Sequence, residues 1–171
     1  MTLRFQLVET SCRSLWDFGW FDLSRFCIEG SSLERQEASN VLHEFLQHPI
    51  SQRSFCDPGS WGESVDRHGP LLRAERAIES FRPISPCDLV RTARATMEDR
   101  PVKVPLSIAE RAPVEAWIES IAKRGDEAFM LAKSDRPGTR VEWKWIWTVY
   151  CEFICISTDR AELTVAVIGE D

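Results

Sequence analysis

The groups in this chain that could do chemistry are its thiols, imidazoles and carboxylates. Cys56 and His68 fall in one loop-rich segment with Asp57, Ser60 and Asp66, so a thiol, a base and an orienting acid can be assembled there for nucleophilic attack. Nothing in their spacing is diagnostic of that chemistry. His43-Glu44 followed by His48 resembles a zinc-binding helix, but the second histidine lies five residues on, not four, so the two imidazoles do not share a face well. The six cysteines (Cys12, Cys27, Cys56, Cys87, Cys151 and Cys155) contain no CxxC pair. If Cys151 and Cys155 sit on one strand they are roughly 13 Å apart, too far for a disulfide or a shared zinc ion. Gly59, Gly62 and Gly69 form no phosphate-cradling pattern. Reduced, buried thiols are therefore expected, with no metal, no cofactor and no catalytic residues.

The aromatic residues carry more information. Trp143, Trp145 and Trp147 stand at alternate positions and could form a stacking platform for a planar ligand. The same phase continues through Val149, Cys151, Phe153 and Cys155, which favours a core face beneath helices. Trp16, Trp20 and Trp61 instead stand in irregular segments, flanked by Asp17, Asp22 and Glu63. Aromatic anchors ringed by acids suit a tight interface with a basic protein. These six residues are the candidate binding site.

Charge points the same way. The 171 residues carry 21 basic and 27 acidic side chains, a net charge of −6, which argues against broad nucleic-acid binding and against an anionic membrane surface. By section the balance is −4 over residues 1–63, +2 over 64–124 and −4 over 125–171. The basic middle section has Arg73, Arg76, Arg82, Arg91, Arg94 and Arg100 interleaved with Glu75, Glu79, Asp88 and Glu98, the pattern of solvated helix faces. The N-terminus shows no secretory pattern and no apolar run reaches the roughly 20 residues of a membrane helix; a soluble, cytoplasmic protein is expected.

The elements that must position these groups can be read from periodicity. Residues 2–9 alternate as a half-buried strand, 11–23 read as an aromatic loop or a strand turning back, and 25–29 as a short strand. A helix capped by Ser31 and Glu34 carries Ala38, Val41, Leu42, Phe45 and Leu46 on one stripe. Further helices are expected over 70–81, from Ser85-Pro86 through Met97, and from Pro113 to Lys123-Arg124. From Glu127 the period changes to two. Strands are expected over 127–133, 140–157 and 162–168, the middle one with a solvent face at Glu142, Lys144, Thr148 and Glu152 and both faces covered at Ile154 and Ile156.

The fold class expected is α+β: one globular domain over 1–171, with about four central helices on an antiparallel sheet made of the C-terminal three-stranded meander and the N-terminal strand 2–9. In size, acidity and layout the chain resembles, in general character only, the small immunity and antitoxin proteins with which bacteria neutralise a toxin. That resemblance implies a non-catalytic module binding a basic toxin or effector. The alternative is a small enzyme or ligand-binding domain with a tryptophan-lined pocket between helices and sheet.

Overall fold

The computed structural model describes residues 3–16, 19–30, 33, 37–52, 67–68, 71–72, 78–98, 105–124, 126–131 and 149–170. Its centre is a six-stranded antiparallel sheet built from both ends of the chain. The strands are β1 (Arg4–Trp16), β2 (Gly19–Glu29), β5 (Phe81–Ile84), β6 (Glu127–Leu131), β7 (Val149–Ser157) and β8 (Glu162–Glu170), in the order β1-β2-β8-β7-β6-β5. A separate small hairpin pairs β3 (Arg67–His68) with β4 (Leu71–Leu72). Among the described residues three α-helices accompany the sheet: α1 (Ala38–Gln47), α2 (Pro86–Glu98) and α3 (Ile108–Arg124). The α+β class is as expected, but among the described residues three helices stand where about four were expected, and β6, β7 and β8 are part of a six-stranded sheet, with residues 132–133 and 140–148 of the expected strands outside the described residues; the N-terminal region joins the same sheet through β2 rather than directly through β1.

The helices divide between the two faces of the sheet. Ala38, Val41, Leu42 and Phe45 of α1 pack on Phe5, Phe26, Ile28, Ile154, Ile156, Val165 and Val167. Leu89, Ala93 and Met97 of α2, with Val114, Trp117, Ile118 and Ile121 of α3, pack on Phe21, Phe153, Cys155, Ala166 and Ile168. Strands β7 and β8 are consequently covered on both sides, which is why their apolar runs continue through both phases of the alternation. Burial of this kind, at about 25 cal/mol per Å² of apolar surface, is the main term holding the layers together.

Several local expectations are corrected. Residues 70–81 are not one helix: Leu71-Leu72 form β4, Ile78–Ser80 a single 3-10 turn, and Phe81 begins β5. The i, i+3/i+4 spacing of Leu71, Ala74, Ile78 and Phe81 is overruled by strand pairing, Leu71 with His68 and Phe81 with Leu131. As an edge strand, β5 buries Phe81 in the α1-side core and leaves Pro83 where a missing N–H is tolerated. Strand β1 runs to Trp16 and β2 starts at Gly19, so the aromatic segment is a strand turning back, with Trp16 paired to Gly19. Helix α1 starts at Ala38 after Glu37, which makes no side-chain cap, and Ser31 and Glu34 lie outside the described residues.

Helix α2 starts as expected. The Ser85 hydroxyl accepts the Asp88 N–H at 3.1 Å, with Pro86 at the first helical position. Helix α3 begins five residues before Pro113, at a capping box that periodicity alone did not reveal. The Ser107 N–H donates to Glu110 Oε2 (2.7 Å) and Ser107 Oγ accepts the Glu110 N–H (3.3 Å). Replacing Ser107 by Ala is expected to cost about 1 kcal/mol, readable as a lowered denaturant midpoint at unchanged slope; an unchanged midpoint would show that this cap does not hold the helix start.

Of the arginines in the basic section, Arg91 and Arg94 are paired on the surface of α2, Arg82 lies on strand β5, and Arg73, Arg76 and Arg100 lie outside the described residues. Arg94 grips Glu115 through two nitrogens, Nε to Oε1 at 3.0 Å and Nη2 to Oε2 at 2.7 Å, tying α2 to α3. That pairing raises the guanidinium pKa and lowers that of the carboxyl. Arg91 pairs with Asp88 and Arg111 with Glu98. Among the described residues, no helix is long and apolar enough to cross a membrane.

Candidate functional site

The end of the sheet at the β1–β2 turn gathers the polar and aromatic side chains that sequence reasoning singled out. Antiparallel pairing puts directly opposite residues on the same face, so the register fixes the layout. On the α1 face, Trp20 of β2, Gly169 of β8 and Tyr150 of β7 form one row across three strands, and Asp22, Val167 and Glu152 form the next. On the opposite face, Trp16 and Gly19 are followed by Glu170 and Val149.

Two glycines explain how the tryptophans lie. A Cβ on Gly169 would come within 2.3 Å of the Trp20 ring, and one on Gly19 within 1.9 Å of the Trp16 ring. Each indole therefore rests directly on bare backbone, one on each face, and each remains half-buried rather than enclosed. A side chain at either glycine would displace the ring.

Asp22 and Glu152 are fully buried. Ser24 Oγ donates to Asp22 Oδ1 (3.2 Å) and lies 3.1 Å from Thr10 Oγ1, making a short hydroxyl chain toward the carboxylate. The Tyr150 hydroxyl donates to Glu152 Oε2 at 3.0 Å. With Val167 between them, the two acids stand two strand spacings apart, about 10 Å. Neither acid is accessible in this conformation, so the pair is closed to substrate.

Three of the six predicted site residues lie at one end of the sheet, Trp20 and Asp22 on the α1 face and Trp16 on the opposite face, while Asp17, Trp61 and Glu63 lie outside the described residues. Asp22 corrects the loop-based expectation of a surface acid: it is a strand residue whose phase turns it inward. Glu152 is corrected likewise, since it was assigned to a solvent face and is enclosed instead. The sequence signal missed was Tyr150, a phenol donor two residues away on the same face. Trp143, Trp145 and Trp147, and Cys56, Asp57, Ser60 and Asp66, also lie outside the described residues.

A second buried polar cluster sits where α3 runs into β6. Arg124 donates to Asp126 Oδ2 (2.7 Å) and Glu162 Oε2 (3.0 Å), with Arg160 3.8 Å from Asp126. Only 1% of the Asp126 side chain is exposed, and burial raises its pKa against the pull of the two arginines. A carboxyl whose folded pKa lies above its unfolded value favours folding while protonated, and that contribution is lost as pH rises through the folded pKa. The stability of the native chain minus that of Asp126→Asn should therefore fall as pH rises through and just above the ordinary carboxylate range. A difference that grows with pH, followed by denaturant melts, would contradict this assignment. Nearby, burial pushes the Cys155 thiol far up, so it stays protonated and is not a nucleophile.

Cys151 and Cys155 are buried as expected, whereas Cys12 and Cys87 are exposed and Cys27 is half-buried, and the two α1 histidines make local contacts. His48 is the residue that ends α1, its extended backbone outside the helix, and its Nδ1 accepts the Ile50 N–H (3.2 Å); His43 Nε2 is 2.9 Å from the Gln47 amide. Among the described residues, no three His, Cys, Asp or Glu side chains are grouped to hold a metal ion, and no disulfide links the cysteines. Comparison with family models, with curated proteins and with solved structures gave no match.

Proposed function

We propose that the chain is a non-catalytic protein-binding module of the immunity or antitoxin type, which neutralises a basic toxin or effector by forming a tight complex. The observation that carries this reading is the pair of half-buried indoles, Trp16 and Trp20, each immobilised on a glycine backbone at the end of the β1–β2 hairpin. Rings already held in place lose little conformational freedom on binding, the property of aromatic anchors at tight interfaces. The net charge of −6 over the whole chain suits a cationic partner. Affinity capture with the full chain from its native lysate, followed by mass spectrometry, is the test. A stoichiometric basic protein is expected, and the absence of any stoichiometric protein would remove the reading.

The buried Asp22–Glu152 pair favours a second reading, a small enzyme or ligand-binding domain that opens over the α1 face. A tryptophan-fluorescence and thermal-shift screen against sugars, nucleotides and acyl compounds tests it. A saturable shift with one class supports a ligand site, and no shift with any class counts against it.

A further inference from the structure

Strand β1 ends the sheet, with β2 on one side and no pairing strand on the other among the described residues. Its pairing with β2 is irregular at two places, between Leu7 and Glu9 and between Ser14 and Trp16, so the longest regular stretch is Glu9 to Ser14, beyond a shorter one from Arg4 to Leu7. Val8, the extra residue at the first irregularity, is 59% exposed, and every residue from Glu9 to Ser14 has an exposed side chain except Ser11, which is half-exposed. An open strand edge presents unpaired backbone N–H and C=O groups and is a template for another strand.

The charges along this stretch select the occupant. Glu9 lies opposite Arg25, and Arg13 opposite Phe21, so the two charges share the α2/α3 face of the sheet with Ser11 between them. Two copies of an antiparallel edge related by a two-fold axis must place one residue opposite itself. A centre at Glu9 or Arg13 opposes like charges, and a centre at Thr10 or Cys12 leaves Glu9 and Arg13 without opposite-charge partners across the seam. Only a centre at Ser11 puts Glu9 of each copy directly across from Arg13 of the other. Glu9 already holds Arg25 at 3.0 Å, and Arg13 makes no ion pair among the described residues. The second copy would therefore complete a row Arg25–Glu9–Arg13 twice, once on each side of the axis.

We infer that the chain pairs with a second copy of itself along β1, antiparallel and centred on Ser11, making one continuous sheet across the two copies. The register is specific enough to test by cross-linking. Residue 11 faces its own counterpart within disulfide reach, whereas Cys12 of one copy lies diagonally from Cys12 of the other, roughly 8 Å apart at Cα and outside it.

Sedimentation equilibrium of the full chain should show a dimer. Glu9→Arg and Arg13→Glu should each weaken it about tenfold or more, and the double reversal should restore it. A folded, unchanged far-ultraviolet spectrum in each variant separates dimer loss from unfolding. In a Cys12→Ser background, Ser11→Cys should form a covalent dimer on mild oxidation with diamide, while the native chain's Cys12 should not. A monomer at all accessible concentrations, a dimer indifferent to both reversals, or cross-linking through Cys12 in preference to Ser11→Cys would overturn the inference.

Discussion

Phe45→Ala is expected to lower the unfolding free energy by about 3–5 kcal/mol, the range for emptying a fully buried aromatic site. Phe45 is the contact through which α1 holds its face of the sheet. Its ring meets Phe5 and Phe26 edge-on, both at 5.2 Å between centroids, and none of it reaches solvent. Phe5 comes from the edge strand β1 and Phe26 from β2, so one side chain couples the helix to the N-terminal hairpin. A loss of this size is a large part of the 5–15 kcal/mol typical of a domain, so the variant should melt at markedly lower denaturant, with α1 amides losing exchange protection first. Val8→Thr, on an exposed bulge, is the control and should change stability by less than about 0.5 kcal/mol. A small effect at Phe45 would mean that α1 does not pack where the structure puts it.

Gly169→Val is the second large expectation, because it acts on stability and on binding through one contact. The new side chain would enter space held by the Trp20 ring, which lies within 2.3 Å of where its Cβ must be. Overpacking of this kind costs about 1–3 kcal/mol, and the ring cannot keep its place. The proposed partner should consequently be lost even at a temperature where the variant is fully folded. Val at Gly169 with Trp20 replaced by Ala should recover part of the stability, since the clash is removed, but not the binding. The double variant thus separates a folding defect from a lost anchor, and equal losses in single and double variants would argue against the stacking of Trp20 on β8.

The parts of the fold legible in the sequence are those in which one period dominates. The α1 stripe and the Ser85-Pro86 start of α2 each follow from a single local rule, and both appear. Residues 70–81 mislead because four apolar residues fall at helical spacing, whereas Phe81 is placed by pairing with Leu131, fifty residues away in sequence. Sheet partners at that distance leave no local trace.

The candidate site was partly legible for the same reason. Trp16 and Trp20 were picked as unusual aromatics, yet what makes them unusual is two glycines, one of them almost 150 residues distant at Gly169. Asp22 looks like a loop acid until its strand is known; pairing with Val167 then fixes which way it points, and Glu152 comes to share its face only because β8 lies between β2 and β7. The splitting of helices between the two faces was equally invisible, since an apolar stripe says that a helix is covered but not by which side of the sheet.

The central claim is that the hairpin end bearing Trp16 and Trp20 is the surface that holds a protein partner. The direct measurement is titration calorimetry of the captured partner against the native chain, Trp16→Leu and Trp20→Leu. Leu keeps an apolar group on each glycine but removes the indole. One partner per chain is predicted, with affinity lowered by about 2 kcal/mol or more, roughly thirtyfold, in at least the Trp20 variant. Native affinity in both variants, while each remains folded, would contradict the account.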